Sequence, residues 1–575
     1  MAAGLDTVQP SLPYHEPDIV TILVQSSFLL LLNLINALFD RLLYCGLLGQ
    51  VLVGIAWGTP GAKWLSIQVE QVVVQLGYIG LILLVYEGGL STSFPSLKAN
   101  LPLSSAVALT GIALPIALSY TLQGLLNATP LQAFAAGAAL CSTSLGTTFT
   151  VLSSSGLSKT RLGVVLSSAA MMDDVVGLVM VQVISNLGNN SDNIGAVTIV
   201  RPVLVSLAFA VVIPLLCRYV VLPVTVRLTS YRKSHPDAVV SRSLMNHQTA
   251  FVTHTLLLIA LVTASSYAGT SNLFAAYIAG ATVSWWDSEV PHPSEHINTP
   301  PAQNTPSHHD EAPDQEQEAR QTSARNVQPG ISTKPQPETT GSAIYERYYH
   351  QAVSRILQPL FFASIGFSIP ITRLFRASIV WRGIVYTVLM VLAKMACGLW
   401  LVRISLPFAK FQQLLYKYKP NIKMPSVTHF WQKHTNSNTE NEPSGPPGHS
   451  AEPDTTTQQE TVPSLRAREE TSHTCSASKP VSIQPALILA CAMVARGEIG
   501  FLISAVAESN GVFSPTSGDS SSESELFLVV TWAIVLCTVL GPLGVGLTVR
   551  RVKKMQDARR DGGRDVLGVW GVDSG

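Results

Sequence analysis

Asp173 and Asp174 stand side by side in SSAAMMDDVVGLVMVQVI, residues 167–184, a stretch otherwise made of apolar or small side chains. A charge at the centre of a membrane helix costs about 2.5–3.5 kcal/mol on insertion scales, and an aspartate is too short to snorkel to water. Neighbours on a helix point about 100° apart, so the two cannot both face one partner squarely. At this depth they belong towards a water-filled cavity or the interior of a bundle. Two close carboxylates cannot both ionise freely. That chemistry suits a site that takes up protons or a small cation. The alternative is a buried ion pair that only fixes packing.

Lys394, in YTVLMVLAKMACGLWLV, is apolar-flanked on both sides and needs an anion; Asp173 or Asp174 are the candidates. A snorkelling surface lysine is the other reading. In ALCSTSLGTTFTVL, residues 139–152, the hydroxyls of Ser142, Thr143, Ser144, Thr147 and Thr148 cluster around Gly146. Such residues satisfy backbone groups where a membrane helix breaks, and broken helices offer carbonyls and amide ends to ions. Close helix packing through small residues would leave the same pattern. A second candidate break is AMVARGEIGFLISAVAE, residues 492–508, where Arg496 and Glu498 flank Gly497. Arg suits C-terminal carbonyls and Glu suits N-terminal amides. Glu87, in LLVYEGGLSTSF, is either functional or interfacial, and His254 reads as a packed histidine near a span end.

The elements that must position these residues are membrane helices. Only 13% of the 575 residues are charged against 47% hydrophobic, and the apolar residues fall into blocks long enough to cross a hydrocarbon core. Thirteen spans are expected, at about 18–37, 42–58, 72–90, 101–122, 131–153, 162–186, 197–221, 248–268, 270–285, 352–369, 378–403, 482–507 and 525–548. Barrel strands are shorter and alternate, so helices are required. The net charge of +1 gives no general attraction to nucleic acid. The seven cysteines form no C-x-x-C pair and read as small buried hydrophobes.

The chain divides into an N-terminal tail (1–17), helices 1–9 (18–285), a polar insert (286–345), helices 10–11 (346–403), a second insert (404–480), helices 12–13 (481–549) and a basic tail (550–575). Both inserts are Pro-, Ser-, Thr- and Glu-rich and are expected to be disordered. No cleavable signal peptide is read at the N-terminus. Basic residues in 218–242 and 550–560 orient the N-terminus outside or lumenal, and the inserts and C-terminus in the cytoplasm. Arg373, Arg376 and Arg382 run against that rule. The sequons at Asn127 and Asn189 fall outside. The membrane is the plasma membrane or an endomembrane.

These residues resemble the monovalent cation:proton antiporter superfamily, especially its second branch of sodium/proton antiporters and potassium efflux systems. The resemblance rests on GQVLVGIAWGTP, LGYIGLILLVYEGGL, STSLGTTFTVLSSSGLSKTRLGVVLSSAAMMDDVVGLVMV, NLFAAYIAG, LQPLFFASIGFSI and VARGEIGFLI, in order over about residues 20–550 without the inserts. It implies an all-α polytopic fold of about 13 helices with inverted repeats. A dimerisation domain, a core domain and two crossing broken helices, 131–153 and 482–507, come with it. By the same resemblance Asp174 matches the ion-binding aspartate and Asp173 the first acid. Thr143 and Ser144 match the broken-helix polar pair, and Lys394 the lysine that pairs with the acid. Arg496, Glu498 and Glu87 are supporting charges. The implied partners are H⁺ with Na⁺ or K⁺ as transported substrates, the lipid bilayer and a second copy of the chain. No cofactor and no structural metal are implied.

The expected activity is antiport by alternating access, electrogenic for this Asp-Asp, Lys type. No G-x-x-x-x-G-K-[ST] motif points to ATP. An intramembrane aspartyl protease also needs two carboxylates, but facing each other, whereas these are consecutive on one helix. A cation channel would show filter loops or charge rings, and none is visible. Regulation by dinucleotide finds no recognisable domain at the C-terminus.

Overall fold

Each of the thirteen expected spans overlaps a helix of the computed structural model. The structure describes residues 14, 16–43, 45–92, 94–144, 156–157, 160–189, 196–234, 247–289, 340–402, 483–514, 524–558, 567 and 570–571. All belong to the compact unit formed by residues 1–402 and 482–575. Among them nine helical stretches are long and apolar enough to cross a membrane. No strand occurs among the described residues, as expected where every backbone group must be paired without water.

In chain order the helices are α1 (Ile19–Leu43), α2 (Gly46–Trp57), α3 (Ile67–Leu90), α4 (Phe94–Ser119), α5 (Pro130–Ala139), α6 (Arg161–Asn189), α7 (Ala196–Leu216), α8 (His247–Ala268), α9 (Asn272–Glu289), α10 (Gln358–Phe367), α11 (Ala377–Met395), α12 (Ile483–Val494), α13 (Glu498–Ser509) and α14 (Glu525–Ala558). They pack in two groups. In one, α3 lies on α9 and α10, α2 on α1 and α10, and α8 on α9. In the other, α4 lies on α5, α6 and α11, α13 on α5 and α6, and α14 on α11, α12 and α13. Helix α7 touches α6 and α9, one from each group.

The second group places the site, and its starts are written locally. Thr129 caps α5: its Oγ1 accepts from Gln132 N at 3.3 Å and its own N donates to Gln132 Oε1 at 2.9 Å. Pro130 at the first helical position suits a turn with no amide partner. Ala135, Ala136, Ala138 and Ala139 are fully buried, so neighbouring backbones approach closely there. Helix α5 ends at Ala139, well short of the expected 153, while α12 and α13 are separated by Ala495, Arg496 and Gly497.

Two boundaries differ from the sequence expectation. Helix α9 runs on to Glu289, and a further helix covers Gly341–Tyr348, so both reach into the expected insert 286–345. Gly341 N donates to Asp287 Oδ2 at 2.6 Å, and Thr340 Oγ1 caps the new helix at Ala343 N. Ile344 and Tyr345 are buried. The insert therefore leaves and re-enters at one place, a geometry in which loop length adds little entropy cost. Helix α14 extends to Ala558, and beyond it Leu567 is buried while Arg161 stacks over Trp570 at 5.2 Å. Residues 290–339 and 403–482, which hold nearly all of both inserts, and Gly146, Thr147 and Thr148 lie outside the described residues.

Candidate functional site

The end of α5 and the break between α12 and α13 meet beside α6. Ser144 N donates to Ala495 O at 3.0 Å, joining the segment after α5 to the one between α12 and α13. Gly497 makes the crossing possible: a Cβ there would fall 2.6 Å from Ser144 Cβ. Any larger residue would force the two backbones apart.

Asp173, fully buried on α6, faces this crossing. Lys394, fully buried on α11, places Nζ 2.8 Å from Asp173 Oδ2, 2.8 Å from Thr143 Oγ1 and 2.6 Å from Cys141 O. Thr143 in turn donates to Asp173 Oδ2 at 2.9 Å. The ammonium thus uses all three protons. Asp173 Oδ1 is buried and has no hydrogen-bond partner among the described residues. Asp174 sits differently. It is only partly buried, and its Oδ1 accepts from Ser142 Oγ at 2.9 Å. Successive side chains of one helix therefore reach two hydroxyls of the segment after α5, the first beside a cation and the second without one.

Arg496 is also fully buried. Its Nη1 donates to Ser142 O at 2.8 Å, in the segment that follows α5, and to Met493 O at 3.4 Å, in the last turn of α12 where carbonyls lack helical partners. A cation there opposes the negative end of each helix dipole, worth up to about 2 kcal/mol in partly buried settings. Nε and Nη2 of Arg496 are buried without a partner among the described residues. Glu498 opens α13 in its first turn, the end where a carboxylate is favoured. Thr538 Oγ1 of α14 donates to Arg496 O at 3.1 Å and holds the break from behind.

Glu87 belongs to another cluster. Its Oε2 accepts from Tyr345 Oη at 3.1 Å, and His350 Nδ1 lies 3.9 Å from Oε1, at the re-entry of the first insert. His254 packs edge-on to Trp286. Ser142, expected only as one of a cluster of hydroxyls, supplies the hydroxyl on Asp174. One contributor was not singled out from the sequence: the Cys141 carbonyl holds Lys394, and a backbone acceptor has no side-chain signature to read. Among the described residues no cluster of histidines, cysteines and carboxylates has a metal-binding arrangement.

Residues 27–298 match the family described as sodium/hydrogen exchanger, transmembrane. Over this region the chain is similar to the sodium/hydrogen exchanger family. The matched region runs from within α1 past the end of α9, with the aspartate pair and Ser142–Ser144; Lys394, Arg496 and Glu498 lie beyond it. The chain is 32% identical over 176 residues to the Na(+)/H(+)-K(+) antiporter GerN of Bacillus cereus, covering 30% of this chain and 45% of GerN. It is 29% identical over 140 residues to the high-affinity Na(+)/H(+) antiporter NhaS3 of Synechocystis sp., covering 24% of this chain and 30% of NhaS3. The matched stretches span less than half of either relative. A superposition on the sodium proton antiporter MjNhaP1 of Methanocaldococcus jannaschii has a TM-score of 0.48 at 12% identity, over 93% of this chain and 99% of that one.

Proposed function

We propose that the protein is a secondary active antiporter that exchanges H⁺ for Na⁺ or K⁺. The observation that carries this is the fully buried Lys394–Asp173 pair where the end of α5 meets the break between α12 and α13, with the partly buried Asp174 one residue on. Asp174 accepts a proton or a partly dehydrated cation, and these two ligands compete for one carboxylate. Asp173 is released from Lys394 when a cation arrives, so more than one charge changes place in a cycle. Competition for one site couples the two fluxes without ATP. Arg496 and Glu498 hold the half-helix ends, and α7, touching both helix groups, is the hinge about which one group moves for alternating access. Glu87 plays no part in ion binding in this scheme. The working form is a homodimer, with the N-terminus outside or lumenal and both inserts and the C-terminus in the cytoplasm.

The protease alternative needs two carboxylates facing each other across one bond, whereas Asp173 and Asp174 have separate hydroxyl partners. Purified protein in proteoliposomes with an imposed pH gradient tests the reading. Addition of Na⁺ or K⁺ should dissipate the gradient, and Asp174→Asn should abolish the effect while the protein still inserts. No response of the wild type to Na⁺, K⁺ or Li⁺, or wild-type rates in the mutant, would end the proposal.

A further inference from the structure

Helix α4 passes the charge pair without placing a side chain there. Its point of approach is Gly111, which is buried and is the single glycine in α4. A Cβ built on Gly111 would lie 3.1 Å from Lys394 Nζ, 3.3 Å from Asp173 Oδ2 and 3.2 Å from Met493 Cε. Real Cβ atoms seldom meet neighbours that closely, so a methyl there would oblige them to give way by a few tenths of an ångström. The position therefore touches one helix group member from each of α6, α11 and α12 at their reacting or flexible ends. Elsewhere α4 fills its buried face with Ser104, Val107, Ala108 and Ser119. Alanine recurs along this helix at 99, 106, 108, 113 and 117, and glycine is the weaker helix former. At 111 the backbone carries that disadvantage where one methyl group would meet the ion pair.

Lys394 Nζ is held by three acceptors, and only Asp173 Oδ2 belongs to a carboxylate. A cation that takes Oδ2 obliges the ammonium to pivot while the Cys141 carbonyl and the Thr143 hydroxyl keep hold of it. The pivot needs free space next to Nζ. We infer that Gly111 is a positioning residue for transport: its missing Cβ leaves the Lys394 ammonium the clearance from α4 that it needs to swing off Asp173 Oδ2 when a cation binds. This rests on the antiport reading. In that reading Gly111 sets how readily the site exchanges its internal cation for an external one.

The test compares wild type, Gly111→Ala, Met493→Ala and the double variant in proteoliposomes, at fixed pH, over a range of Na⁺ or K⁺ concentrations. The amount of inserted protein is measured for each. Overpacking by one methyl at a buried contact corresponds to about a tenfold effect, so Gly111→Ala should raise the half-saturating cation concentration about tenfold. A Cβ displaced from Nζ moves towards Met493 Cε, so Met493→Ala in the same chain should return the value towards wild type. Met493→Ala alone should lower it, and it carries the test by itself if Gly111→Ala fails to insert. An unchanged half-saturation in Gly111→Ala, with only a fall in the amount of protein, would make Gly111 a packing residue and overturn the inference. Unchanged half-saturation in Met493→Ala would do the same. Absence of exchange in the wild type would instead remove the antiport reading on which the inference rests.

Discussion

Breaking the pair between Lys394 and Asp173 should cost far more than removing it whole. At 2.8 Å two unit charges attract by about 6 kcal/mol at an effective dielectric of 20. Both residues are fully buried, so desolvation cancels much of that attraction for the intact pair. Lys394→Met keeps most of the side-chain volume but leaves Asp173 with only the Thr143 hydroxyl as a partner. Cys141 O and Thr143 Oγ1 lose a donor as well. Removal of one member of a buried pair costs about 3–5 kcal/mol. Asp173→Asn/Lys394→Met removes both charges and should recover most of that loss, giving a coupling of about 2 kcal/mol or more between the two sites. Chemical or thermal unfolding in detergent, followed for the wild type, both single variants and the double variant, measures the cycle. Additive effects of the two substitutions would refute the reasoning and leave the short contact without energetic meaning.

Two further outcomes are expected. Lys394→Ala removes the positive charge beside Asp173, so exchange should require higher pH and respond less to an imposed voltage; identical pH profiles and voltage responses in wild type and variant would return Lys394 to a packing role. An electrogenic wild type gains about 2.3 kcal/mol per net charge for each 100 mV. Protease sites placed within 290–339 and within 404–480 should be cut only from the cytoplasmic face, and cleavage of either from outside would overturn the proposed orientation.

What the sequence made legible was whatever breaks an apolar run. Asp173, Asp174, Lys394 and Arg496 each interrupt a span, so each stands out along one dimension. Helix existence was equally plain, because a bilayer leaves a long apolar block no other form. Partners across the fold were harder. The resemblance pointed to Thr143 and Ser144, yet the hydroxyl on Asp174 is that of Ser142. Residues 140–144 leave the helix, so the 3.6-residue period no longer says where their side chains point. Glu87 could not be placed because its partner Tyr345 is 258 positions away. The insert boundary failed for a related reason: a short helix from Gly341 depends on a cap and on Asp287 across the insert, not on an apolar run. Gly111 carries almost no signal of its own, since a glycine among alanines and serines reads as generic close packing.

The three acceptors around Lys394 Nζ also bear on concentration. Because the ammonium is tied to α11, it confronts Asp173 Oδ2 at an effective concentration fixed by the length of its own stem. It is a resident competitor that cannot be washed out, diluted or saturated. In the proposed exchange an external cation would have to displace it at whatever level the surrounding solution supplies, and the tether would define a threshold below which the carboxylate stays closed by the protein's own ion. Changing the stem or its anchor points would move the threshold without altering the carboxylate at all.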